Sequence, residues 1–477
     1  MQNQTTNSTT MIIEQIYTGC LAQGAYYIES NGEAAIIDPL RETAPYLQRA
    51  ARSGAKYKYI LETHFHADFV SGHIDLARET GAAIVYGPTA IPNFAAHIAV
   101  DGEILPLGNI QIKVLHTPGH TMESTTFLLI DENGKEHSIF TGDTLFIGDV
   151  GRPDLAVKTN LSREDLASHL FDSLRNKIMP LADDIIVYPA HGAGSACGKN
   201  MSKETWDTLG NQKKVNYALR PDMSREDFIK EVTDGLLPPP AYFPLNALMN
   251  KMGYDQIDEV MKRGLQALSP EAFEAAANET SAVILDTRKP ADFVKAFIPN
   301  SISIGIDDNF APWVGTLIPD VKQQILVVAE PGREEEVVTR LARVGYDYAI
   351  GYLEGGVEAW INDGRETDSI ESIDAVEFAS RMEEGVLKVV DVRRHAEFEK
   401  SHLTEANHAP LDYINDFMSV FSNEGKTYLH CAGGYRSVIA ASILKARGFE
   451  NLVNIEGGFN AISKTGLPLS SGPSVNA

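Results

Sequence analysis

The sequence predicts an α/β protein of about three domains: a two-sheet sandwich with outer helices, then two copies of a smaller βα unit. Three observations carry this. At 477 residues the chain is too long for one hydrophobic core, given about 150 residues per domain. From residue 11 to about 195, short β-prone runs alternate with Gly/Pro turns and helical stretches, the pattern of a layered α/β fold. The remainder repeats itself. Val283-Ile284-Leu285-Asp286-Thr287-Arg288 matches Val389-Val390-Asp391-Val392-Arg393, Ile325 to Glu330 matches Thr427 to Cys431, Leu341 to Tyr346 matches Leu444 to Phe449, and Leu353 to Gly356 matches Ile455 to Gly458. The offset is 391 − 286 = 105 at the start and 457 − 355 = 102 at the end, so each copy spans roughly 100 residues. The expected divisions are a disordered tail over 1–10 and domains over 11–262, 265–368 and 371–470.

In the sandwich the strand-like run Lys58-Tyr59-Ile60-Leu61 leads into Thr63-His64-Phe65-His66-Ala67-Asp68, and Ile74, Leu76 and Ala77 carry helical spacing behind it. Two imidazoles and a carboxylate at alternate positions of extended backbone can converge on one cation. Three more strand-like runs end in a His or Asp beside Gly or Pro: Ile110 to Leu115 before Pro118-Gly119-His120-Thr121, a run ending at Phe140 before Gly142-Asp143, and Ile185-Ile186 before Tyr188-Pro189-Ala190-His191. Pro88 and Pro92 mark loops, and Ser162 with Asp165 reads as a helix cap. Residues 202–236 read as helices that the Pro238-Pro239-Pro240 run halts. Residues 241–264 read as a tail packed back on the first domain.

Charge and cysteine usage narrow the function classes. Lys+Arg minus Asp+Glu is 41 − 65 = −24, and such a polyanion repels nucleic-acid backbones and anionic lipid. Three cysteines, Cys20, Cys197 and Cys431, are too few for a disulfide framework and suit a reducing compartment. Residues 1–10 lack the basic start and apolar stretch of a secretory signal. No apolar run approaches the roughly 18 residues of a membrane span. The expected location is cytoplasmic.

The four motifs, in this order, resemble the metallo-β-lactamase superfamily over roughly residues 11 to 260. The fold this implies is an αββα sandwich. Hydrolases of the glyoxalase II type usually carry a histidine after the motif aspartate and bind two ions; here Phe69 stands there, which favours a single metal. Asp38-Pro39 with Glu42-Thr43-Ala44-Pro45, Thr63-His64, His66-Ala67-Asp68, Pro118-Gly119-His120-Thr121, and Gly142-Asp143 followed by Gly151-Arg152 and Asp154 resemble the persulfide dioxygenase branch. That resemblance implies one Fe(II) on His64, His120 and Asp143, a two-histidine, one-carboxylate face with three open positions. It also implies that His66, Asp68 and His191 orient the ligands or bound water. Arg152 with Asp154 is a candidate for binding a polar thiol carrier, or a mutual surface salt bridge. Tyr188 is a candidate for lining the pocket, or a strand-end core residue. Cys197 lies in a flexible Gly-rich loop six residues past His191, either within reach of the metal pocket as a persulfide carrier or a plain loop thiol. Cys20, in the first apolar hairpin, reads as packing.

The repeated units resemble the rhodanese (sulfurtransferase) family, which implies a parallel sheet wrapped by helices in each. In the last copy Cys431-Ala432-Gly433-Gly434-Tyr435-Arg436-Ser437 joins a strand to a helix. Inward N–H groups and the helix N-terminus favour a thiolate there, Gly433 and Gly434 let the backbone curl round the sulfur, and Arg436 can bind an anion. The family's cysteine takes a sulfane sulfur and passes it on, which implies that role for Cys431. Four residues separate Cys431 from Arg436, one fewer than a phosphatase loop uses, which favours sulfur over phosphate. Asp391 and Arg393 resemble the family's structural Asp-x-Arg element. The middle copy has Glu330 in place of the cysteine, a loop two residues shorter and the acidic run Glu334-Glu335-Glu336, so it is expected to be inactive and to act as a spacer or dimerisation unit.

Together these resemblances imply a non-heme iron persulfide dioxygenase joined to a sulfurtransferase. A small thiol persulfide and dioxygen would yield sulfite, and sulfur from Cys431 would turn sulfite into thiosulfate. The alternatives are a glyoxalase II-like thioester hydrolase with an accessory rhodanese, and a non-catalytic sulfur carrier. The expected partners are small molecules and further copies of the chain in a homo-oligomer.

Overall fold

The computed structural model describes residues 11–155, 161–236 and 238–473; the expected tail over 1–10 lies outside the described residues. The fold is the metallo-β-lactamase fold followed by rhodanese-like domains. The chain divides into two compact units, the first running to Asp258 and taking in Ala342–Gly345, the second running from Glu259 to Leu341 and onward from Tyr346.

The first unit is a sandwich of two six-stranded sheets. One sheet runs Ile12–Thr18, Gln23–Ser30, Glu33–Ile37, Lys56–Leu61, Ala83–Tyr86, His97–Ile98 in spatial order. The other runs Asp207–Thr208, Ile186–Pro189, Glu136–Gly142, Thr125–Ile130, Ile110–His116, Ile104–Leu107. Side chains alternate between faces along each strand, which sorts the core into layers. Tyr26, Ile28, Ile37, Leu61, Phe127 and Phe140 meet between the sheets. Tyr27, Ile36 and Ile60 face the helices Ala44–Ser53 and His73–Thr80, and Leu128, Ile139 and Val187 face Arg163–Ser173 and Arg225–Thr233. Every strand that precedes a sequence motif is present, so the motif loops gather at one edge of the sandwich. Ser162 caps its helix with Asp165 returning the bond, a full capping box. The stretch read as helical from 202 onward is helical only from Leu209, in three short pieces ending at Thr233.

In the second unit the two repeats have the same topology. The middle sheet orders Ala267–Leu268, Ala349–Leu353, Ile325–Val328, Val283–Asp286, Ile302–Ser303, and the last sheet orders Glu371–Ile373, Leu452–Ile455, Thr427–His430, Lys388–Asp391, Asn407–His408. All pairings within both sheets are parallel. The helix Tyr435–Lys445 behind the cysteine loop is buried without a break from Ser437 to Leu444, as expected for a helix apolar on all sides. The edge strand Ile302–Ser303 of the middle copy covers one of its faces, where Ser303 N donates to Ser442 Oγ at 2.9 Å.

Candidate metal centre and cysteine loop

His64, His120 and Asp143 are buried and offer ligand atoms that all lie within 4.8 Å of one another. His64 Nε2 and His120 Nε2 stand 4.0 and 3.4 Å from Asp143 Oδ2. That oxygen is buried and accepts no hydrogen bond, which a cation between the three groups would remedy. Each ligand is aimed by a neighbour. Thr63 Oγ1 donates to Asp38 Oδ2 at 2.8 Å, so it accepts from His64 Nδ1 at 3.0 Å and leaves Nε2 with its lone pair. His120 Nδ1 donates to the Arg152 carbonyl at 2.8 Å, with the same result. His191 Nδ1 donates to Asp143 Oδ1 at 2.8 Å. A metal ligand's second polar atom engaged in this way fixes ring orientation and basicity. Burial first, then the neighbouring His66, holds His64 well below the usual imidazole range and hence neutral. Burial alone would raise Asp143, but His191 and His120 outweigh it and hold the carboxyl far below its usual range. The donor set of two imidazoles and one carboxylate fits a divalent metal ion.

Close approach explains Gly151. A Cβ there would come within 2.0 Å of the Asp143 carbonyl and 3.0 Å of His120 Nδ1.

His66 does not join the convergent set. Its Nε2 lies 3.0 Å from Asp38 Oδ1 and 3.7 Å from Glu62 Oε2. Glu62 is fully buried, and burial, then the charge of Asp38, hold its carboxyl well above the usual range. Phe69 stacks on His66 at 4.3 Å between centroids. His191 lies between two carboxylates, Asp143 on Nδ1 and Asp68 Oδ2 at 2.7 Å from Nε2. Burial opposes its charge, but Asp143 and Asp68 raise its pKa well above the usual range.

Arg152 is buried, pairs with Asp154 through Nε and Nη2 at 2.6 and 2.7 Å, and donates its own N–H to the Cys197 carbonyl at 3.0 Å. It braces the His120 and Cys197 loops, with Asp154 as its ion-pair partner. Tyr188 stacks on Phe140 at 5.3 Å and on Tyr26 at 5.2 Å, a core contact between the sheets. The loop carrying Cys197 is pinned rather than loose, since Asp149 Oδ2 accepts from Lys199 N at 2.7 Å and Asn200 N at 2.6 Å. Cys197 is buried at 1% exposure and its ligand atom lies within 4.8 Å of those of Asp68 and His191. Burial first, then Asp68 and Asp143, push its thiol well up. Cys20 sits half-buried in the turn after Ile12–Thr18.

Asn250, absent from the sequence reading, holds the motif loop from 184 positions away. Its amide donates to the carbonyls of His66 at 2.8 Å and Phe69 at 2.7 Å, and its oxygen accepts from Ser71 N at 2.8 Å. Only the expectation that residues 241–264 pack back on the first domain pointed that way.

In the last repeat Cys431 directly follows the strand Thr427–His430, buried at 1% exposure, and Gly434 N donates to its Sγ at 3.1 Å with Ser437 Oγ at 3.7 Å. Gly434 has φ +108°, a conformation that favours glycine. Gly433 has open space at its Cβ position and no left-handed φ, so the curl does not require it. Ala432 and Gly433 form the outer rim, and Tyr435 Oη donates to the Gly305 carbonyl of the middle copy at 2.9 Å. Arg436 is engaged by Glu397 through two bonds of 2.6 and 2.8 Å. Asp391 and Arg393 brace the strand ends as expected. Arg393 Nε and Nη2 bond Asp391 Oδ2 at 2.9 and 2.6 Å, and the guanidinium lies 3.9 Å over the Phe459 ring. In the middle copy Glu336 is not a bare repulsive charge, because Arg333 Nε meets it at 2.9 Å and Arg340 pairs with it as well.

Comparison with known proteins agrees with this architecture. The metallo-beta-lactamase superfamily model matches residues 18–191, and the rhodanese-like domain model matches 269–363 and 374–465. The crystal structure of a metallo-beta-lactamase from Staphylococcus aureus subsp. aureus COL superposes with a TM-score of 0.63 at 31% identity, covering 72% of this chain and 99% of that one. A probable hydroxyacylglutathione hydrolase of Schizosaccharomyces pombe is 34% identical over 34% of this chain, which spans 60% of that relative's length. The mitochondrial persulfide dioxygenase of Homo sapiens is 32% identical over 44% of this chain and 74% of its own. The chain belongs to the metallo-beta-lactamase superfamily and carries two rhodanese-like domains behind that fold. It is similar at nearly equal identity to a probable hydroxyacylglutathione hydrolase and to a persulfide dioxygenase. Among the described residues no helix is long and apolar enough to cross a membrane.

Proposed function

We propose that the protein is a non-heme iron persulfide dioxygenase coupled to a sulfurtransferase. The observation that carries the reading is the buried face of His64, His120 and Asp143, with His66 Nε2 turned toward Asp38 and Glu62 instead. A ferrous ion held by His64, His120 and Asp143 would supply the activation of dioxygen. The balanced reaction is R–S–SH + O2 + H2O giving RSH, SO3²⁻ and two protons. The outer sulfur is oxidised, the S–S bond breaks and dioxygen is reduced. Thr63, the Arg152 carbonyl and His191 keep the three ligands oriented. At the other site Cys431 holds a sulfane sulfur within the Gly434 N–H and Ser437 hydroxyl contacts. Attack by sulfite on that sulfur breaks the enzyme's S–S bond, forms thiosulfate and returns the Cys431 thiolate, which Gly434 N–H then stabilises. The middle copy, with Glu330 at the cysteine position, takes no part in sulfur transfer. Two sulfur-handling sites on one chain suit clearance of sulfide-derived persulfides.

The test is product analysis of the iron-loaded protein given a small-molecule persulfide. The reading expects thiosulfate from the parent, sulfite from Cys431→Ser, and neither from His120→Ala. Hydrolysis of a glutathione thioester without oxidised sulfur products would sink it and favour the hydrolase reading that the Schizosaccharomyces pombe relative suggests.

A further inference from the structure

The strand Leu452–Ile455 carries one polar residue, and it is buried. Asn454 is 4% exposed and shares its strand with Leu452, Val453 and Ile455, which are buried as well. A buried amide on such a strand is costly unless it is hydrogen-bonded. Asn454 Oδ1 accepts from Ser437 Oγ at 2.8 Å, and Nδ2 donates to Ser372 Oγ at 3.3 Å on the neighbouring strand Glu371–Ile373. Ser437 Oγ in turn lies 3.7 Å from Cys431 Sγ. A chain of polar groups thus runs from Ser372 through Asn454 and Ser437 to the cysteine.

The middle repeat lacks this chain together with the cysteine. Leu353 stands for Ile455, an offset of 455 − 353 = 102, which puts Tyr352 at the position of Asn454. The strand register agrees, since Ser372 lies opposite Asn454 in the last sheet and Ala267 lies opposite Tyr352 in the middle one. The helix behind the middle loop opens on Glu334, Glu335 and Glu336, where the last repeat has Tyr435, Arg436 and Ser437. Both sheets keep one strand order, so the fold does not require the polar chain, and its presence follows the cysteine.

We propose that Asn454 is a positioning residue for Cys431, acting through the Ser437 hydroxyl; the inference rests on the reading of Cys431 as the sulfur-carrying thiol. Ser437 has one proton to give. In the structure it goes to Asn454, which leaves an oxygen lone pair for the Cys431 S–H. When Cys431 loses its proton to solvent, the chain reverses. A half-turn of the Asn454 amide exchanges its oxygen and nitrogen. Ser372 then donates to Oδ1, Nδ2 donates to Ser437 Oγ, and the Ser437 O–H turns to the sulfur. An amide carries both the acceptor and the donor that the two directions need. The thiolate gains a second hydrogen bond beside the Gly434 N–H, and this thiolate is the group that leaves when a sulfane sulfur is passed on. The charged groups around it are Arg436 with Glu397, and His430 with Asp391 and Arg393. Burial raises Glu397 and Asp391, but Arg436 outweighs it at one and His430 and Arg393 at the other, so both carboxyls lie below their usual range. Burial holds His430 below the usual imidazole range. None of these groups changes charge where a thiol titrates.

The test is alkylation of the full chain by iodoacetamide across pH, read at the Cys431 peptide by mass spectrometry, with sulfur transfer to an acceptor thiol measured alongside. Asn454→Leu and Asn454→Ala each leave the Ser437 proton to the Gly434 carbonyl at 3.2 Å. Each should move the midpoint of the pH profile up and lower the rate at neutral pH about tenfold, as should Ser437→Ala. The limiting rate at high pH should stay at the parent value, which shows that the loop keeps its fold. Ser437→Ala with Asn454→Leu should go no further than Ser437→Ala alone. A parent profile retained in both Asn454 variants, or effects that multiply in the double variant, overturns the positioning role and leaves the proposed function standing. The expected shifts, in a parent that passes no sulfur to any acceptor thiol, keep the role and remove the sulfurtransferase reading.

Discussion

Replacing Asn250 with alanine tests how the motif loop is held. The side chain is 1% exposed and serves three backbone groups, the carbonyls of His66 and Phe69 and the N–H of Ser71. Each buried backbone group left without a partner costs about 1 to 3 kcal/mol. Water entering the vacated space recovers part of that sum, so the expected loss is about 3 to 4 kcal/mol, near the upper end for single substitutions. The loss falls on the segment between His64 and Ser71. Hydrogen exchange of the amides there should accelerate by about two orders of magnitude, and metal affinity should fall with it. Asn250→Asp discriminates further. It keeps an acceptor for Ser71 N but places an oxygen against the two carbonyls, so it should be no better than alanine. The assays are amide exchange by mass spectrometry and chemical denaturation with metal present and absent. Stability within 1 kcal/mol of the parent, with unchanged exchange over that segment, would refute the assignment of Asn250 as the clamp.

Other outcomes follow from the second unit. Glu397→Gln should free Arg436 from a half-exposed ion pair, whose strength is about 0.5 to 1 kcal/mol, and tighten thiosulfate binding about two- to fivefold, read by isothermal titration; weaker binding would contradict an anion role for Arg436. Cys431→Ser should abolish sulfur transfer to an acceptor thiol while metal content stays at the parent level, by elemental analysis. Asp391 is buried; burial raises its pKa, but His430 and Arg393 outweigh that and hold it below the usual carboxylate range. Its contribution to stability is therefore present at neutral pH and lost as pH falls through the folded value. The difference in Tm between parent and Asp391→Asn should shrink on acidification, and a constant difference across that range would contradict the pairing.

The parts of this molecule readable from sequence are local ones. An apolar run followed by His or Asp beside Gly or Pro marks a strand end, and each of those runs is a strand here. The repeat was readable because the same strand, loop and double-glycine signals recur about 100 residues apart, and both sheets have one strand order. The three donors His64, His120 and Asp143 converge because three strands of two facing sheets end at the same edge. What stayed hidden depends on distant pairs. Asn250 meets His66 across 184 positions, and no local pattern distinguishes it from any helix-surface asparagine. Cys197 reads as a loop thiol until Asp149 is seen to pin its loop. Tyr188 lies one position from a motif, yet strand alternation sends its ring into the sandwich against Phe140. The continuous burial of Ser437 to Leu444 shows in the sequence as an apolar run, but its cause, cover by the neighbouring repeat, does not.

The most direct test of the central claim is dioxygen consumption by the iron-loaded full chain with a small-molecule persulfide, followed with an oxygen electrode. The account predicts one dioxygen consumed for every two persulfides in the parent, where the second sulfur leaves in thiosulfate, one per persulfide in Cys431→Ser, and none in His120→Ala. Iron bound at His64, His120 and Asp143 with no dioxygen consumed across several persulfides would contradict it.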